Sequence, residues 1–220
     1  MRVTRGLIAD PLPKPAASPA SGGRSAAALP PGSRARGSRG TAVTIGNFDG
    51  AHVGHQAMLA RLLEVARARQ LTSCVLTFEP HPRELFAPGQ APTRLTSLRE
   101  KLELLSVYGV ERTHVVRFSR AFAAIPAEAF IDRMLIGTLD ARWVLVGGDF
   151  RFGARRGGDV ALLRAMGELR GFEVEVMPEV MQGRARVASS AVREALKSGD
   201  LKAASLLLGR SYTISGRVVH

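Results

Sequence analysis

From Thr41 onward, short apolar runs alternate with longer amphipathic ones. "AVTIG" (42–46), "SCVLTFE" (73–79), "RTHVVRF" (112–118), "RWVLVG" (142–147) and "FEVEVM" (172–177) are brief and rich in β-branched or aromatic residues, the pattern of buried strands. Between them, residues 54–69 place Met58, Leu59, Leu62, Leu63 and Ala66 on one helical face, and residues 98–107, 127–135 and 160–169 repeat that spacing. Two further helical segments, 190–197 and 200–208, follow. Strands separated by helices predict an α/β fold: a doubly wound, mostly parallel five-stranded sheet with helices on both faces, of the Rossmann-like type. In such sheets ligands bind beyond the carboxyl ends of the strands, where the strand order reverses. The segments "GNFDGAHVGH", "PHP" and "GGDFRFGARRGG" follow the first, second and fourth of these strands, so they fall on that edge.

The flanks differ from the body. Residues 10–40 hold six of the twelve prolines and almost no large apolar side chain, which predicts a disordered insert. Residues 1–9, and within them 3–8, are expected to add a first strand to the 41–208 body. Residues 209–220, "GRSYTISGRVVH", read as a new strand beginning without a partner in the remaining sequence.

Composition narrows the class. With 45% hydrophobic and 23% charged residues and no 18-residue apolar run, neither a disordered chain nor a helical membrane protein fits. The opening "MRVTRGLIADPLPKP" lacks the apolar core of a secretory signal. Cys74 is the only cysteine, so no internal disulfide can form, and the cytoplasm is the expected compartment. Half of the +12 net charge lies in residues 1–40, where seven basic side chains face one acid, Asp10. The rest is spread thinly, aromatics are only 5%, and no basic recognition helix appears. That distribution favours anionic small molecules over nucleic acid as partners.

The candidate chemistry centres on His52 and His55, at i and i+3 on the opening turn of a helix. A metal would need a third protein ligand, and no HExxH or paired-cysteine pattern supplies one. Packing alone remains open. Phosphate is favoured by context: Gly46 ends a strand, Gly50 permits a tight turn, and Gly54 keeps the first helical turn bare, while a helix start offers unpaired N–H groups. "RVASSAVR" has the same character, with Ser189 or Ser190 expected at a helix N-cap, Arg193 one turn in and Arg186 upstream. It reads as a second phosphate clamp or as a plain helix start with a solvated arginine.

"TIGNFDGAHVGHQ", "TFEPHP", "VGGDFRFGARRGGD" and "RVASSAVREAL" occur in this order, and together they resemble the bacterial FAD synthetases, the adenylyltransferase half of the bifunctional riboflavin kinase/FMN adenylyltransferases. The resemblance covers residues 41–208. The "HVGH" element is shared by many nucleotidylyltransferases; "FEPHP" and "DFRFG" make the flavin assignment specific. It implies adenylyl transfer from ATP to FMN, with magnesium accompanying ATP and no dedicated protein cage for the metal. By the same resemblance Gly46, Asn47, Phe48, Asp49, His52, Gly54, His55, Ser189, Ser190 and Arg193 bind ATP, and His52, His55 and Arg193 are catalytic. Phe78, Pro80, His81, Pro82, Asp149, Phe150 and Phe152 bind flavin, with Arg83 and Arg151 as supporting charges. Where relatives commonly read Ile-Ser-Ser-Thr, this chain has Val187-Ala188-Ser189-Ser190, one hydroxyl fewer. "GRSYTISGRVVH" resembles the opening of the riboflavin kinase barrel, which implies a kinase domain in cis beyond these 220 residues. The competing readings are a nucleotidylyltransferase for another acceptor, such as phosphopantetheine or nicotinamide mononucleotide, a nucleic-acid-binding module, and a non-catalytic binding remnant.

Overall fold

The computed structural model describes residues 1–6, 39–183 and 185–216. Most of the insert predicted over 10–40 therefore lies outside the described residues. In chain order the elements are β1 (Arg2–Gly6), β2 (Thr41–Ile45), α1 (Val53–Ala68), β3 (Thr72–Glu79), α2 (Pro82–Phe86), α3 (Leu98–Val107), β4 (Arg112–Arg117), α4 (Arg120–Ala123), α5 (Ala127–Phe130), β5 (Ala141–Gly147), α6 (Val160–Arg170), β6 (Glu173–Met177), a short antiparallel pair β7 (Met181–Gln182) and β8 (Ala185–Arg186), α7 (Ser189–Lys197) and α8 (Leu201–Leu208). A turn of 3-10 helix, Asp49–Ala51, leads into α1, and wide π-helical turns, Ile131–Thr138, continue α5.

The main sheet has six strands in the order β1-β4-β3-β2-β5-β6, every pair parallel. The count is one more than the five-strand expectation because β1 pairs along the edge of β4, Arg2 opposite Arg112 through Gly6 opposite Val116. Periodicity alone could not assign that edge, since so short a segment joins the sheet only through its partner. Residues 211–216 form no strand, and 217–220 lie outside the described residues.

Alternation along the strands divides the core in two, since successive side chains point to opposite sheet faces. Val43, Cys74, Leu76, Val144 and Val146 pack on one face beneath α5, the π-helical turns and α6. Ala42, Val75, Trp143 and Leu145 pack on the other beneath α1 and α3, where Leu59, Leu62 and Leu105 are fully buried. The helix starts carry side-chain caps that the sequence encodes. Ser97 and Glu100 form a capping box on α3, Asp159 accepts from Leu162 N at the start of α6, and Asp200 accepts from Ala203 N on α8. Burial holds the Cys74 thiol protonated, its pKa raised to about 12.

The strand order reverses beside β2. Connections from β2 through β3 to β4 run to one side, and the chain then crosses to β5 and β6 on the other. The loops after β2 and β5 leave the sheet side by side at this switch, the place where doubly wound sheets open a crevice.

Candidate active site

The loop after β2 departs sharply from ordinary backbone geometry. Phe48, Gly50 and Ala51 all have positive φ, at 50°, 77° and 41°. Gly50 is required there twice over, because a Cβ would also lie 2.8 Å from Leu95 Cδ1. Side chains hold three successive carbonyls of this turn, two of them from distant parts of the chain: Ser189 Oγ donates to Asp49 O at 3.0 Å, Arg210 Nη2 to Gly50 O at 2.9 Å and, from α1 itself, Gln56 Nε2 to Ala51 O at 2.9 Å. Gln56 also donates to Leu208 O at 2.7 Å, so one amide joins α1 to the end of α8.

His52 is the N-cap of α1. Its Nδ1 accepts from His55 N at 3.2 Å, which leaves the proton on Nε2 and makes that atom the donor. The rings of His52 and His55 stack with centroids 3.7 Å apart and planes 14° from parallel. Burial lowers the His52 pKa to about 4, and burial, with His52 and Lys101 nearby, holds His55 well below its ordinary value. Both imidazoles are therefore neutral near pH 7, N–H donors rather than cations. His55 Nδ1 is buried without a partner among the described residues. As the first two residues of α1, Val53 and Gly54 have amides with no acceptor inside the helix, and none outside it among the described residues.

His52 favours the folded state only when neutral, because its folded pKa of about 4 lies below the ordinary 6.5 of the free side chain. Stability should be complete above that upper value and fall as pH drops toward the lower one, by at most about 3 kcal/mol from this residue. Urea midpoints measured across that window should show the decline, and His52→Asn should make it shallower, with His55 supplying much of what remains.

Asp49 was expected among the ATP-binding groups, yet its carboxylate is saturated by the protein. It accepts from Leu95 N at 3.1 Å, Thr96 N at 3.0 Å and Thr96 Oγ1 at 3.1 Å, and pairs with Arg193 Nη2. Arg193 Nε donates in turn to Thr93 O at 2.6 Å. The histidine corner and the corner at α7, 140 residues apart in sequence, thus meet directly through Asp49. A Cβ on Gly54 would stand 3.5 Å from Val187 O and 3.2 Å from the His52 ring, so this glycine serves that close approach as well as a bare helix start.

Two further expectations at this corner are corrected. Phe48 is fully buried in the core beneath α1, with its ring 4.9 Å from that of His55, so its side chain supports the histidine from behind and does not face a ligand. The N-cap of α7 is Ala188, not Ser189 or Ser190, and it makes no side-chain cap bond. Ser189, the first helical residue, has turned its hydroxyl to Asp49 O, and Ser190 is exposed. Ala188 already has extended geometry (φ −148°, ψ 157°), so Ala188→Ser should add the missing cap and about 1 kcal/mol of stability, readable in a urea titration.

Beyond Gly46 and Asn47 lies a cavity of about 670 Å³. Its walls include seven of the nine phenylalanines: Phe78 from β3, Phe86 from α2, Phe118 and Phe122 around the start of α4, Phe130 from α5, and Phe150 and Phe152 from the loop after β5. Phe150 and Phe152 stack at 5.4 Å, and Phe118 meets Phe78, Phe86 and Phe122 edge-on at 5.7–6.0 Å. Gly153 closes one end with φ +72°; a Cβ there would lie 2.6 Å from Ala127 Cα. Arg83, Arg151, Arg155 and Arg156 supply positive charge to the same walls.

Of the residues expected to bind flavin, Phe78, His81, Pro82, Phe150 and Phe152 line this cavity, as do Arg83 and Arg151. Pro80 and Asp149 do not. Pro80 turns the chain out of β3, and Asp149 is exposed and paired with Arg186 at 2.9 Å. His81 is the N-cap of α2, its Nδ1 accepting from Arg83 N at 3.2 Å. Sequence reading missed Phe86, Phe118, Phe122 and Phe130, whose only signal was the concentration of a scarce aromatic type. It also missed the structural role of Gln56, the last letter of the histidine motif.

No group of three or more His, Cys, Asp or Glu side chains is arranged to hold a metal ion among the described residues. The donors at this site, neutral imidazoles, amides and arginine, suit phosphate oxygens.

A family profile described as FAD synthetase matches residues 35–191. The bifunctional riboflavin kinase/FMN adenylyltransferase of Escherichia coli K12 is 49% identical over 181 residues, covering 82% of this chain and 58% of that protein. The protein of the same description from Pseudomonas fluorescens is 44% identical over 182 residues, covering 83% and 58%. A solved structure described as a macrolide-efflux protein from Streptococcus pneumoniae superposes with a TM-score of 0.68 at 27% identity, covering 80% of this chain and 57% of that one. This chain spans somewhat over half the length of the relatives it matches. It belongs to the FAD synthetase family.

Proposed function

We propose that residues 41–208, with β1, transfer the adenylyl group of ATP to FMN, giving FAD and pyrophosphate. An oxygen of the FMN phosphate attacks the α-phosphorus of ATP, the bond to the α–β bridging oxygen breaks, and pyrophosphate leaves with that electron pair. The observation that carries this reading is the phenylalanine-walled cavity lined at one side by Gly46 and Asn47, in the same loop that runs from β2 to the stacked histidines. A large planar apolar ring fits its walls, and a polyanion fits the corner beyond. Nicotinamide mononucleotide or phosphopantetheine would leave most of that aromatic surface unmatched.

His52 and His55, as neutral donors, with the free amides at the start of α1, stabilise charge that grows on the phosphate oxygens as the pentavalent phosphorus forms. Arg193, held by Asp49 and Thr93, presents the remainder of its guanidinium to the phosphate tail. Magnesium enters with ATP, ligated by phosphate and water, and offsets the charge of two anionic reactants. The proposed setting is the cytoplasm, where a lone buried thiol such as Cys74 stays reduced. No helix among the described residues is long and apolar enough to cross a membrane. The kinase activity named for the relatives is not proposed for these 220 residues; the opening of that domain is proposed to begin at 209.

The test is direct. The purified chain, incubated with FMN, ATP and magnesium, should release pyrophosphate and form FAD resolvable by chromatography. Binding should also quench flavin fluorescence. Absence of both, with product formed from a different phosphorylated acceptor, would overturn the reading.

A further inference from the structure

The chain does not leave the body at the end of α8. Gly209 closes that helix in the left-handed region (φ 66°), and it passes so near α1 that a Cβ would lie 2.9 Å from Val53 Cγ1 and 3.1 Å from Gln56 Oε1. Beyond it, alternate side chains turn inward: Arg210 and Tyr212 are half-buried, whereas Ser211 and Thr213 are exposed. Tyr212 packs against the small cluster of Leu95, Val192 and Leu208. Ser215 N donates to Glu100 Oε1 at 3.1 Å, on the carboxylate whose other oxygen completes the capping box of α3. Residues 209–215 therefore run from the end of α8, past the turn after β2, to the start of α3. Arg210 is where they meet the turn. Its guanidinium forks across two backbone carbonyls, Nη1 donating to Leu208 O at 3.3 Å and Nη2 to Gly50 O at 2.9 Å. Gly50 and Ala51 both have positive φ, and a residue with a side chain, such as Ala51, stays in that region only where its surroundings hold it there. A cavity of about 250 Å³ borders Gly50 and Arg210 alike, which leaves the turn room to shift once the guanidinium is gone. Ala51 is followed directly by His52, the N-cap of α1, so a shift of the turn carries the imidazole and the amides of Val53 and Gly54 with it.

We propose that Arg210 is a positioning residue for adenylyl transfer: by clamping the Gly50 carbonyl to the end of α8, it fixes the turn that aims His52 and the open start of α1 at the phosphates. The unit that performs the transfer then extends through Ser215 instead of stopping at Leu208. The proposal rests on the adenylyl-transfer reading for the reaction, and on the two carbonyl bonds for the clamp. An arginine that served only to close α8, through Leu208 O, would support stability and leave turnover alone.

The experiment compares the whole chain with Arg210→Met, Arg210→Gln and Arg210→Lys, by steady-state FAD formation and by amide hydrogen exchange. In the Met variant kcat should fall about ten- to a hundred-fold, the cost of misplacing a catalytic group from a distance. The KM for FMN should stay within about three-fold, because neither Arg210 nor Gly50 lines the phenylalanine-walled cavity. Lysine, which can still donate to one carbonyl, should recover kcat to within about five-fold of the parent. The Gly50 and Ala51 amides, bonded to Thr96 Oγ1 and Phe48 O, should exchange at least about ten-fold faster in the Met variant, while those of α6 exchange at the parental rate. Should the Met variant not fold, the Gln variant carries the comparison; failure of both to fold would make Arg210 a stability residue and overturn the proposal. Parental kcat and turn exchange in a folded neutral variant, or exchange that quickens equally in α6, also overturns it. If the parent makes no FAD, the assigned reaction falls by itself, and the exchange measurement still decides whether Arg210 holds the turn.

Discussion

Asp49→Ala is expected to lose about 3–5 kcal/mol of folding stability, the scale of a buried charge pair broken from one side. The carboxylate satisfies two backbone amides, a hydroxyl and the Arg193 guanidinium, and it is 6% exposed. Removing it strands all of them, and the loss should show as a shift in the urea midpoint without a change in slope. Adding Arg193→Met to Asp49→Ala should restore part of the stability, since the stranded cation is then gone as well. FAD formation should fail in both, because the two corners no longer share a joint. A stability loss below about 1 kcal/mol in the single variant would show that these hydrogen bonds do not hold the corners together.

His55→Ala should act in the opposite way, on rate more than on stability. FAD formation is expected to fall by at least about ten-fold, and as much as about 10²-fold, the cost of one transition-state donor. FMN affinity, read by fluorescence quenching, should move by no more than about three-fold, because the ring stacks on His52, tilts against Phe48 and does not line the phenylalanine-walled cavity. The His52 Nδ1 bond to the residue 55 amide involves only backbone at that position and should survive. A folded His55→Ala protein that keeps the parental kcat would remove the imidazole from the chemistry and leave it a packing residue.

The histidine corner was legible in the sequence because its geometry is local. Gly50, His52 and Gly54 act within one turn, and the bond from His55 N to His52 Nδ1 spans three residues. The loop "GGDFRFGARRGG" was half legible. Phe150 and Phe152 line the cavity, whereas Asp149, adjacent in sequence, is exposed and pairs with Arg186, a partner 37 residues away that local pattern does not reveal. Asp49 was singled out in the sequence, but its structural partners were not legible there, since Leu95, Thr96 and Arg193 lie 46 to 144 residues away. Ala188 was seen as a missing hydroxyl. Only coordinates identify it as the cap position, and show Ser189 drawn off to Asp49.

By itself the sequence determined what short-range physics controls: strand and helix periods, the caps at Ser97, Asp159 and Asp200, and the tight turn that ends in an open helix start. Tertiary structure alone decided that β1 joins the edge of β4, and that phenylalanines from five separate stretches of chain enclose one cavity. It also decided that Asp49, at the end of the β2 loop, ties together the 95–96 segment and α7 through Arg193. The physical reason is the strand order. Local periodicity specifies which face each residue takes, whereas the order β1-β4-β3-β2-β5-β6 specifies which faces meet, and that follows only from burying the whole set of apolar faces at once.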